Sequence, residues 1–103
     1  MPGILKFRQP QQVAVVVDDV SDEGIVARMV RDVQRVFRHI IGGWRVSVRA
    51  SARGCWRLEL SGASGRHVWV FAAPARTLSA AVVEKLEVFF RDTCPARRLH
   101  ARV

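Results

Sequence analysis

The chain has 103 residues, half of them apolar and a quarter charged, which suits one folded domain with one core and excludes a disordered tail. Seventeen bases, fifteen of them arginine, stand against nine acids for a net charge of +8. That balance favours acidic partners, nucleic acid or an acidic protein surface, and it also speaks to solubility.

No apolar run approaches the length needed to span a bilayer. The N-terminal "MPGILKFRQPQQ" lacks the long apolar core of a secretory signal. The expectation is a soluble cytoplasmic protein with no membrane partner. Cys55 and Cys94 have neither C-x-x-C nor zinc-ligand spacing, so two free thiols are the default.

Residues 1–12 read as an arm able to add one short strand. The domain proper is 13–93. Val13–Val17 is an unbroken β-branched run and reads as a strand. Four acids follow it: Asp18, Asp19, Asp22 and Glu23. A run ending in paired aspartates resembles the start of a phosphoacceptor receiver domain. No later strand ends in Asp, and the later strands form hairpins, so that reading is set aside. The cluster also lacks Ca²⁺-loop spacing. A structural role accounts for most of it. Ser21 is the expected N-cap, and Asp22 and Glu23 meet the positive end of a helix dipole. Asp18 and Asp19 stop the strand.

The spacing of Ile25, Met29, Val33, Val36, Phe37 and Ile40 predicts a helix over 21–41, ended by Gly42-Gly43. Across from its apolar side run Arg28, Arg31, Arg35 and Arg38. This basic stripe is a solvated helix face or a footprint for phosphate contacts.

Three period-two strands follow: Trp44–Ala50, Cys55–Ser61 and Arg66–Ala72. Their links, "SARG" and "GASG", are hairpin loops. Read as three residues ending in a left-handed Gly, both loops set a register. The first brings Ala50 opposite Trp56, Val48 opposite Leu58 and Val46 opposite Leu60. The second brings Leu60 opposite Val68, Leu58 opposite Val70 and Trp56 opposite Ala72. The open face then carries Arg45, Arg49, Arg57, His67, Trp69 and Phe71. Two aromatics among arginines would bind single-stranded nucleic acid by stacking and phosphate contact. Alternatively the arm, the tail or another subunit covers that face. An even-numbered second loop would instead turn Trp69 and Phe71 into the core.

A last helix is expected over 79–93, with Ser79 as N-cap and Val82, Leu86, Phe89 and Phe90 on its apolar side. Pro95 ends it. Residues 94–103 form a basic tail. His39, His67 and His100 lie in no catalytic or metal motif. The expectation is a protein that is not an enzyme and has no metal site and no cofactor.

The expected fold is α+β, a β-α-β-β-β-α two-layer sandwich. About four strands form an antiparallel meander sheet, with both helices on one face. In element order alone, residues 13–93 resemble two RNA-associated groups: double-stranded-RNA-binding domains and, with the leading strand, the ribosome-associated hibernation-promoting family. No functional residue carries over from either. The expected function is a small binding module for nucleic acid or the ribosome. The alternative is a homo-oligomer that uses the open sheet face as its interface.

Overall fold

The computed structural model describes residues 13–63 and 65–93. The N-terminal arm and the basic tail, with Cys94 and Pro95, lie outside the described residues. In chain order come β1 (Val13–Val17), α1 (Glu23–Val36), a 3-10 turn (Phe37–His39), β2 (Trp44–Ala50), β3 (Cys55–Gly62), β4 (Gly65–Ala72), a second 3-10 turn (Ala75–Thr77) and α2 (Leu78–Thr93). The α+β expectation holds. Strand order is β1-β2-β3-β4.

The sheet is mixed rather than a simple antiparallel meander. β1 runs parallel to β2, with Val15 beside Val46 and Val17 beside Val48. Two strands joined through a helix come back in the same direction, whereas tight loops reverse it. Only β2, β3 and β4 form the antiparallel meander.

The core sits between the sheet and the two helices. Met29, Val33 and Phe37 come from the first helical segment and its turn, and Leu78, Val82, Leu86 and Phe90 from α2. Val46, Val48, Leu58 and Leu60 come from the sheet, and all are buried. Every second strand residue points to the same side, which is why one set of alternating positions meets both helices. Three rings lock one end: Phe37 and Trp44 each meet Phe90 edge-on at 5.3 Å. Trp44 lies across Gly62, where a Cβ would overlap its six-membered ring.

Both helix starts differ from expectation. Asp22, not Ser21, caps α1, its carboxylate accepting from the Gly24 N–H at 2.8 Å and the Ile25 N–H at 3.2 Å. An ionised carboxylate at the positive end of a helix is the stronger acceptor. The α-helical part ends at Val36. The chain then tightens into the 3-10 turn, burying Ile40 and leaving Ile41 exposed.

At α2 the 3-10 turn feeds straight into Leu78, so Ser79 is already inside the helix. Ser79 is buried, and its hydroxyl donates to Asp32 Oδ2 at 3.0 Å, joining the two helices. The other oxygen of Asp32 pairs with Arg35 at 3.6 Å.

The acids after β1 have structural work. Asp18 N–H donates to the Val48 carbonyl at 2.8 Å. Asp19 takes a positive φ of 67°, a conformation Asp adopts more readily than most residues. From there Oδ2 accepts from the Ala50 N–H at 3.1 Å. The pair ties the end of β1 to the end of β2.

Candidate functional site

The first hairpin has the expected register: Ala50 opposes Trp56, Val48 opposes Leu58 and Val46 opposes Leu60. Its turn is built differently. Cys55 N–H donates to the Ala52 carbonyl at 2.9 Å across Arg53 and Gly54. Both of those residues have positive φ, as in a type I′ turn. Ser51 N–H donates to the Cys55 carbonyl at 2.8 Å. Ser51 and Ala52 therefore both oppose Cys55, a bulge that restores the odd offset.

The second hairpin is shifted by one residue from the expected register. Gly62 pairs with Gly65, leaving two residues to connect the strands, and Leu60 opposes His67, Leu58 opposes Trp69 and Trp56 opposes Phe71. A one-residue slip turns every side chain over. His67, Trp69 and Phe71 therefore leave the open face and lie on the helix side. Trp69 meets Phe89 edge-on at 5.8 Å, and His67 lies 4.6 Å from the same ring. Lys85 Nζ stands 4.9 Å over the Phe71 ring, a cation–π contact from α2. The Trp56 indole N–H, also on this side, donates to the Ala73 carbonyl at 2.9 Å. Burying Trp and Phe removes more apolar surface from water than burying two valines, which is the physical reason for the shift.

Among the described residues the open face is thus free of aromatics. It carries Ala14 and Val16 from β1, Arg45, Ser47 and Arg49 from β2, Cys55, Arg57, Glu59 and Ser61 from β3, and Arg66, Val68 and Val70 from β4. Val68 and Val70 are 42% and 58% exposed. Arg66, which sequence reasoning assigned no role, joins Arg45, Arg49 and Arg57 there. The even register was the signal that would have found it.

One acid organises these charges. Glu59 takes Arg66 Nε at 2.6 Å and Arg57 Nη2 at 3.7 Å. Arg57 stands directly opposite Arg49, a like-charge pair that costs stability. Arg57 Nε is buried without a hydrogen-bond partner among the described residues. Arg45 and Arg49 are exposed and form no ion pair among the described residues. They stand four residues apart on β2, about 13 Å along the strand.

The second basic stripe lies on an exposed face. Arg28, Arg31, Arg35 and Arg38 are exposed on the outside of the first helical segment and its turn, across the helix layer from the open sheet face. Among the described residues no cluster of His, Cys, Asp and Glu could hold a metal ion, and no helix is long and apolar enough to cross a membrane. No protein-family model matches the chain, and no curated protein matches it in sequence.

Proposed function

We propose that the domain is a non-enzymatic binding module whose open sheet face takes the phosphate backbone of a nucleic acid. The observation that carries this is a charge imbalance on one sheet face: Arg45, Arg49, Arg57 and Arg66 stand against Glu59 alone. Guanidinium groups match phosphate oxygens in shape as well as charge. The terminal segments 1–12 and 94–103 add five bases and no acidic side chain. The element order shared with RNA-associated domains points the same way, although a fold by itself assigns no function.

With Trp69 and Phe71 under the helices, base stacking plays no part on this face. Binding is electrostatic and indifferent to sequence. Self-association through the same face is disfavoured, since it would set one arginine-rich surface against another.

The test is fluorescence anisotropy with a labelled 20-nucleotide RNA strand and a 20-base-pair duplex between 50 and 200 mM salt. Four phosphate contacts give a slope of log K against log salt of about −3.6 on duplex DNA. Replacing Arg45 and Arg49 together by Glu weakens binding at least ten-fold and flattens that slope. The same change at Arg28 and Arg38 has a much smaller effect. No binding at 50 mM salt, or an equal loss from the Arg28 and Arg38 variant, overturns the reading.

A further inference from the structure

From its two opposed basic faces we infer that the domain bridges nucleic acid. The open sheet face holds one duplex segment, and the arginine stripe of the helix layer holds another. The inference rests on the phosphate binding proposed for the sheet face and adds a second, weaker site. Arg28, Arg31, Arg35 and Arg38 are spaced three and four apart, so they share one side of α1 and the turn that follows. Met29, Val33 and Phe37 of the same segment are buried in the core. At about 100° per residue the four arginines fall on the opposite side. They point away from the sheet, whose own arginines point away from the helices.

Two observations give the stripe its ligand. The first is charge. Asp32 pairs with Arg35 at 3.6 Å, and Glu87 of α2 lines a shallow hollow with the same arginine. Arg28, Arg31 and Arg38 form no ion pair among the described residues. Another shallow hollow is lined by Arg31, Gln34, Arg35 and Arg38, three guanidinium groups and an amide with no acid among them. From Arg28 to Arg38 the segment rises about 15 Å, the axial rise of about four phosphates on one strand.

The second observation is how little apolar surface accompanies the charge. The exposed residues from 27 to 38 are Ala27, Arg28, Arg31, Gln34, Arg35 and Arg38. The core of a protein interface is apolar and rich in aromatic anchors. Ile41, exposed beyond the turn, is a single side chain and builds no such core. Phosphate contacts need only donors and charge. Nucleic acid therefore fits the stripe better than an acidic protein does.

One short duplex does not serve both faces. They point in opposite directions across the sandwich, and 20 base pairs is a small fraction of the roughly 150-base-pair persistence length of DNA. Filling both takes two duplexes, or two distant segments of one polymer. In a polymer, binding at the sheet face raises the local concentration of further phosphates and fills the weaker stripe.

A two-duplex capture assay at 50 mM salt tests this. One 20-base-pair DNA duplex is held on beads, a second of unrelated sequence carries a fluorophore, and the full chain is titrated in. The labelled duplex is expected on the beads only when protein is present. Its retention falls again once protein exceeds duplex, because each duplex then carries its own copies. Arg28→Glu with Arg38→Glu lowers retention at least five-fold, while the single-duplex dissociation constant, read by anisotropy, shifts less than about three-fold. If that variant fails to fold, Arg28→Gln with Arg38→Gln gives the same split, since Gln is as good a helix former as Arg. No single-duplex binding overturns the sheet-face reading and this inference with it. Single-duplex binding without retention overturns the inference alone. So does undiminished retention by the Arg28 and Arg38 variants, which would mean that protein copies joined to one another make the bridge.

Discussion

The β2–β3 and β3–β4 hairpins share a strand, and each has a positive-φ glycine, Gly54 inside the first loop and Gly65 at the start of β4. In the first, Arg53 and Gly54 form the tight turn, and a bulge at Ser51 and Ala52 adds one residue to the β2 side. In the second, two residues join Gly62 to Gly65 with no bulge. The first offset puts Val46 and Val48 over the core with Leu58 and Leu60. The second puts His67, Trp69 and Phe71 there. Loop residues permit either parity, and the larger apolar set on the strand decides which parity is used.

The sharpest way to break that comparison is to truncate the two faces of β4 in turn. Trp69→Ala removes an indole packed on Phe89 and lowers unfolding free energy by about 3 kcal/mol, at the low end for a large aromatic because Trp69 is only half-buried. Val70→Ala changes it by less than about 0.5 kcal/mol, as expected for a surface substitution. Urea denaturation measures both. Equal losses would mean that β4 does not present its odd-numbered residues to the helices.

How far the chain could be read follows from the same pair of hairpins. Val46, Val48, Leu58 and Leu60 alternate with polar residues, so only one parity buries them, and that half of the sheet is legible. On β4 both parities are apolar, Val68 and Val70 against Trp69 and Phe71. Alternation is then silent, and side-chain volume decides. The candidate site divides the same way: alternation on β2 and β3 puts Arg45, Arg49 and Arg57 on the open face, whereas on β4 it does not decide between Arg66 and the aromatics. At the helix starts, Ser21 and Asp22 are both good caps, and only the backbone path selects Asp22. The tie from Asp19 to Ala50 spans 31 residues, which local pattern does not reveal.

Glycine substitutions sharpen the comparison at a smaller scale. Gly54 needs its positive φ of 74° but has open space around the missing Cβ. Gly54→Ala therefore costs about 1 kcal/mol, the ordinary penalty of a left-handed position. Gly62 has no such φ but lies under Trp44. Gly62→Ala forces the indole off Phe37 and Phe90 and costs about 2 kcal/mol, within the range for overpacking. A smaller loss at Gly62 than at Gly54, read from thermal or urea midpoints, would mean the Trp44 ring shifts without cost.

The smallest expected effect belongs to Glu59, which lies on the central strand that both hairpins share. Its partners, Arg57 and Arg66, reach it from the same strand and from β4. Glu59→Gln keeps the shape and removes the one negative charge among the face's arginines. The ion pairs are a quarter or more exposed, so stability changes by less than about 1 kcal/mol. The effect on phosphate binding has the opposite sign. A unit charge about 4 Å away contributes about 1 kcal/mol in water, so releasing two guanidinium groups strengthens binding about three- to five-fold at 50 mM salt. The gain shrinks as salt rises, because exposed charges are screened. Anisotropy titrations of Glu59→Gln against the unaltered protein measure it. Weaker binding would mean that Glu59 holds Arg57 and Arg66 in the geometry the phosphates need, and that the acid organises the face rather than restraining it.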